Sequence, residues 1–262
     1  SLDNPPILEG IKAGLSELTG SLLGKGSKKI TKDDFYDEVD FMGANISISA
    51  SGAFAQSLSR YFERTFQMMA DAAINPNFTE EEFVKERDVI IDALKASEKD
   101  VKTAARRVED QLSYGKDHPY GEFTSEESVK RVSIEDLEKL YQKTFHPQDT
   151  YITIVGDIDF ETAKKLTKKY FGKWAKGTVT SSSIPNPENV SQTQIAFVEM
   201  PNAVQSEVSV VNTANLDRNN PDYYALTIAN QILGGGGEAR LFLNLREDKG
   251  YTYGSYSRFS IN

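Results

Sequence analysis

Apolar side chains recur every three or four residues through Ile11, Leu15, Leu18, Leu22 and Leu23, which predicts a helix over 9–23 with one face turned to a core. A second helix is predicted over 33–42. The period then changes to two. Ala44, Ile46, Ile48 and Ala50 alternate with Asn45, Ser47 and Ser49, the pattern of a half-buried strand, and a partner strand over 53–58 follows Ser51-Gly52. Antiparallel pairing is the expectation. A helix over 61–74 is stopped by Asn75-Pro76-Asn77, and Thr79 with Glu82 makes a capping-box pattern opening one long helix over 80–112.

After the loop His118-Pro119-Tyr120-Gly121, Ser133 and Asp136 open a helix to Phe145, and His146-Pro147 breaks it. Residues 150–156 read as a buried strand and 160–171 as a helix. From 177 to 194 the composition shifts to Gly, Ser, Thr, Pro and Asn, which marks a linker. Two domains are therefore predicted, 1–180 and 181–262. The second carries strands at 195–198, 207–211 and 251–259, helices at 222–233 and 239–248, and a loop from Gly234 to Gly237.

The two parts echo each other. Leu2-Asp3-Asn4-Pro5 before a helix is similar to Leu216-Asp217-Arg218-Asn219-Asn220-Pro221 before a helix, and each helix leads to an alternating strand. The expectation is a duplicated unit, its first copy lacking its opening strands and its second copy cut short, as in a fragment of a longer chain.

Composition narrows the function classes. Across 262 residues the net charge is −9, with acidic and basic side chains interspersed, which argues against nucleic acid or an anionic membrane as the main partner. The absence of cysteine removes disulfides, thiolate metal sites and a thiol nucleophile. No apolar run approaches the ~20 residues of a membrane-spanning helix. Gly20-Ser21-Leu22-Leu23-Gly24-Lys25-Gly26-Ser27 has the composition of a phosphate-binding loop but not its spacing, and no strand precedes it. His118 and His146 both stand before prolines, where turn formation is the plainer reading than a metal pair.

One segment points to a particular chemistry. Arg240-Leu241-Phe242-Leu243-Asn244-Leu245-Arg246-Glu247-Asp248-Lys249-Gly250-Tyr251-Thr252-Tyr253 resembles a signature of the insulinase/pitrilysin family of zinc peptidases. Weaker motifs of the same family fall in order elsewhere: Gly43-Ala44-Asn45, Glu86-Arg87-Asp88-Val89, His118-Pro119-Tyr120-Gly121, Ile154-Val155-Gly156-Asp157 and Phe171-Gly172-Lys173-Trp174. Active members carry H-x-x-E-H on a helix, whose two histidines hold zinc while the glutamate activates water. At the matching place this chain reads Glu17-Leu18-Thr19-Gly20-Ser21, and the position of the family's third ligand, seven residues after Glu86, is Ala93.

The resemblance implies an α+β fold of two homologous domains, each packing helices on one face of a mostly antiparallel sheet. It implies no metal ligand in this chain, with zinc carried by a partner. In the family an arginine and a tyrosine seven residues apart, here Arg246 and Tyr253, bind the peptide and stabilise the oxyanion from the side opposite the zinc. The expected role is a non-catalytic subunit or half that closes a peptide chamber over a zinc-bearing half. The alternative is a purely structural or assembly subunit, as the core proteins of a respiratory complex are. A bacterial cytoplasm or periplasm is the expected compartment.

Overall fold

The computed structural model describes residues 1–2, 5–177, 184–214 and 216–259. The chain divides into two compact units, residues 1–211 and 212–262. The expected domain boundary at 180/181 lies outside the described residues.

In the first unit, α1 (Leu15–Leu22) begins later than its apolar pattern suggested. Gly14 sets that start with φ +103°, a conformation side-chain-bearing residues avoid. The Glu9 carboxylate then accepts hydrogen bonds from the amides of Gly14, Leu15 and Ser16 at 2.7, 2.7 and 2.8 Å. These amides have no partner within the helix, and a carboxylate is also the charge favoured at this end. Glu122 in turn accepts from the amides of Glu9 and Gly10, at 2.8 Å in each case.

Helix α2 (Lys32–Phe41) is capped by Thr31, and its Phe35 and Val39 face inward. Strands β1 (Asn45–Ser49) and β2 (Gly52–Gln56) pair antiparallel as expected, Ser47 opposite Phe54 and Ser49 opposite Gly52. Ile46 and Ile48 pack with Phe35, Val39 and Met42, against Met68 and Ala72 of α3 (Phe62–Ile74). Fold class therefore follows the sequence: helices lie on one face of an antiparallel hairpin.

The single helix expected over 80–112 is two. Helix α4 (Glu80–Ser97) starts at the Thr79 cap, and α5 (Val101–Tyr114) restarts where Asp100 Oδ1 accepts from the Thr103 amide at 2.7 Å. A new N-cap inside an otherwise continuous pattern ends one helix and opens the next. Helices α6 (Glu126–Lys130) and α7 (Ile134–Thr144) follow, the second opened by the Ser133–Asp136 capping box. Leu18 and Leu22 of α1 meet Phe83, Ile90 and Ile91 of α4, Val129 of α6 and Leu137 of α7 in one core. Helix α8 (Phe160–Phe171) closes the unit.

The segments predicted as strands at 150–156, 195–198 and 207–211 form no strand ladder among the described residues. Their one described pairing is the bridge between Leu2 and Thr150. Val155, Phe197 and Val210 stand almost fully exposed. The period-two pattern is present, but a strand also needs an adjacent edge to pair with, and among the described residues only β1 and β2 find one another.

The second unit holds α9 (Tyr223–Gly234) and α10 (Arg240–Phe242), which runs directly into a π-helical turn over Leu243–Asp248. The segment after it, predicted as a strand over 251–259, likewise forms no ladder among the described residues; its Ser257 amide donates to the Gly234 carbonyl at 3.0 Å. That approach requires glycine: a Cβ on Gly234 would lie 2.2 Å from the Ser257 nitrogen.

Candidate functional site

The two sets of residues singled out by sequence lie in separate units. On α1, Glu17 is exposed in the first turn, and the Ser21 hydroxyl donates to the Leu18 carbonyl at 3.0 Å. Gly20 lies against the β1–β2 turn, where a Cβ would sit 3.2 Å from the Ala50 nitrogen. A glutamate there would press its stem on backbone. Ala93 stands exposed on α4. Glycine, serine and alanine offer no imidazole or carboxylate, and Glu17 alone cannot give the three protein ligands of a catalytic zinc, so these residues do not fit the metal. Among the described residues, no cluster of three or more His, Asp or Glu side chains is arranged to hold a metal ion.

A lysine meets Glu86, a carboxylate of the family-like Glu86-Arg87-Asp88-Val89 motif. Lys25, just beyond α1, places Nζ 2.8 Å from Glu86 Oε1 on α4. Desolvation opposes the Lys25 charge. The hydrogen bond and charge of Glu86, with Tyr36 and Glu82 nearby, nonetheless hold its pKa above the ordinary lysine value.

The two histidines are occupied in the fold. His118 is buried, with Nδ1 accepting from the Tyr120 amide at 3.1 Å and Nε2 3.0 Å from the Pro185 carbonyl oxygen. Since Nδ1 accepts, the proton of the neutral ring belongs on Nε2, where it is donated to Pro185. His146 is buried as well, with its ring against Gly177.

Arg246 lies within the π turn, a wide-turn geometry found often at functional sites. Its guanidinium stacks over the Phe242 ring, 4.7 Å from the centroid, and Tyr256 packs against that ring at 5.8 Å. Phe242 is buried, whereas the Arg246 side chain is 45% exposed. Among the described residues its one ion-pair contact is with Glu247 at 3.6 Å, too long and too exposed to occupy the guanidinium fork.

After the turn the chain reverses at Gly250, with φ +63°, and the Gly250 and Tyr251 amides donate to the carbonyls of Arg246 and Leu245 at 3.0 and 2.9 Å. Tyr253 leaves two residues beyond that tie, 86% exposed. Thr252 brackets it, its hydroxyl donating to the Gly254 carbonyl at 2.9 Å and accepting from the Gly254 amide at 3.2 Å. The structure thus sets both predicted residues at one helix end with their polar groups open to solvent. They make no hydrogen bond to each other among the described residues. The Phe242–Arg246 stack was not among the sequence expectations, although the aromatic–arginine spacing of four on a helix was the available signal.

A family model described as "Insulinase (Peptidase family M16)" matches residues 10–115, and one described as "Peptidase M16 inactive domain" matches residues 131–262, half of the chain. The chain belongs to peptidase family M16, the insulinase family. An uncharacterized zinc protease of Mycobacterium leprae is 22% identical over 256 residues, covering 95% of this chain and 57% of the relative. An uncharacterized zinc protease of Bacillus subtilis is 24% identical over 254 residues, covering 94% and 60%. A crystal structure of a peptidase M16 inactive domain from Pseudomonas fluorescens superimposes with a TM-score of 0.75 at 20% identity, over 95% of this chain and 61% of that one. This M16 chain therefore spans 57–60% of the length of these curated relatives. Its zinc-motif positions hold no ligand set, and its Arg246 segment falls in the stretch matched by the inactive-domain model.

Proposed function

We propose that this chain is a non-catalytic half of an M16 peptidase, which closes a peptide chamber over a zinc-bearing half of the same family and presents Arg246 and Tyr253 to the bound peptide. The observation that carries the reading is the Arg246 geometry: a guanidinium fixed over a buried ring, on a π turn, with its fork left open. A planar, always-charged donor pair held in place suits a peptide carbonyl and the oxyanion that develops from it, and an exposed phenol supplies a neutral donor beside it. The zinc-bearing half would supply the water-activating chemistry. Segments with uncovered apolar side chains, such as those bearing Phe197 and Val210, support a partner as well.

A second reading, a structural or assembly subunit, draws on the Arg246–Glu247 contact and the close fit of Gly20 on the hairpin. Titration separates the two. The purified chain is added to a zinc-bearing M16 homologue from the same genome, and cleavage of an unstructured fluorogenic peptide is followed. Activity that rises to a plateau at one equivalent is expected. A complex that forms without any gain in cleavage overturns the first reading in favour of the second.

A further inference from the structure

Unit one contains a cleft of about 480 Å³ between α3 and α8, far in sequence from Arg246. Its wall is unusual for a chain of net charge −9: four cations, Lys29, Arg64, Lys169 and Lys173, face one acid, Asp71. The Asp71 carboxylate is already committed, accepting from Ser27 Oγ at 2.6 Å, Lys29 Nζ at 2.7 Å and Asn75 Nδ2 at 2.9 Å. Arg64 sends Nε and one terminal nitrogen to Glu38, both at 2.5 Å, and the other to Gln67 at 3.2 Å. Lys169 reaches Glu63 at 2.8 Å in a pair more than half exposed. Lys173 has no hydrogen bond or ion pair among the described residues.

Beside the polar Gln67, Asn75 and Tyr170, the rest of the wall is apolar. Trp174 is held by Phe145 and Phe171, with ring centroids at 5.8 and 6.1 Å, and Met68 lies beside it in the cleft. An uncompensated ammonium next to a fixed indole is a site for a ligand with one anionic end and an apolar body, since a fully hydrated inorganic anion would gain nothing from the indole.

We propose that this cleft binds a small carboxylate with an apolar body, its charge met by Lys173 and its body laid on Trp174. Two sources share that chemistry: the free C-terminus of an apolar peptide, and a free aliphatic acid.

Trp174 is the chain's only tryptophan, so the site carries its own reporter. The whole chain is titrated with hexanoate, hexanamide, inorganic phosphate, and N-acetyl-Ala-Leu-Phe as free acid and as amide, reading Trp emission and calorimetric heat together. Saturable binding of hexanoate or of the peptide acid, without binding of its amide counterpart, is expected. Whichever of the two acids binds more tightly names the source. Lys173→Glu sits on an exposed side chain, leaves the circular dichroism unchanged, and should weaken binding roughly 10-fold by replacing attraction with repulsion. Four results each overturn the proposal: no saturable signal by either method, amides binding as well as acids, phosphate competing equally, or full affinity in Lys173→Glu.

Discussion

The Lys25 ammonium lies 2.8 Å from the Glu86 carboxylate, and the two side chains are only 19% and 18% exposed. The pair ties the loop after α1 to α4. A resident protein cation thus satisfies a carboxylate that would otherwise be left half-buried and unpaired. Lys25→Met should lower stability by about 1–3 kcal/mol, because it strands Glu86. Lys25→Met/Glu86→Leu should recover part of that loss. Urea unfolding of the two single variants and the double variant measures the coupling, and additive effects would show that the pair contributes nothing.

Acid should weaken the fold through three carboxylates. The Arg64 hydrogen bond holds Glu38 below its ordinary pKa, and the Lys32 hydrogen bond does the same for Glu82. For Asp71, burial pushes the pKa up, but hydrogen bonds from Lys29, Ser27 and Asn75 outweigh it and the net direction is down. A depressed folded-state pKa gives stability that is present above the unfolded values, about 3.9 for Asp and 4.3 for Glu, and is lost as pH falls through the folded ones. The urea midpoint at roughly 0.15 M salt should therefore fall below about pH 4.5. Glu38→Gln should flatten that fall; a midpoint that rises between pH 5 and 3 would contradict the account.

Gly20 should resist an otherwise favourable change. Replacing glycine by alanine inside a helix usually gains about 1 kcal/mol. Here the new methyl would meet the Ala50 backbone nitrogen at 3.2 Å. Gly20→Ala should bring no gain, and Glu17→His/Gly20→Glu/Ser21→His/Ala93→Glu should be destabilised relative to the parent chain. Thermal melts decide this; a quadruple variant as stable as the parent would remove the packing argument.

Much of this was legible in the residues. Thr79 and Ser133 marked helix starts because a side-chain oxygen before an amide row is a local signal. The hairpin at 45–56 was readable because its period matched one buried face. The α4–α5 break at Asp100 hid within a continuous helical pattern. The segments around Val155, Phe197 and Val210 misled because pairing depends on an edge that local sequence does not encode. At the site, Arg246 and Tyr253 were visible from their motif. The Lys25–Glu86 pair needed coordinates, since a contact 61 residues apart leaves no short-range trace, whereas the Phe242–Arg246 stack had its spacing of four as a local signal.

Glu9 should act as the N-terminal anchor of α1. Its carboxylate takes three backbone amides that would otherwise lack protein partners. Glu9→Ala should cost about 1–3 kcal/mol, and Glu9→Gln less, since the amide oxygen still accepts but carries no charge. Hydrogen exchange at Gly14, Leu15 and Ser16 should accelerate in the alanine variant; unchanged protection there would refute the anchoring role.

The central claim concerns Arg246, and turnover of the reconstituted complex tests it most directly. With zinc-bearing partner and peptide present, Arg246→Ala should reduce kcat on the order of 100-fold, the usual loss on removing one oxyanion donor, while light scattering shows the complex intact. Unchanged kcat in an intact complex would contradict it.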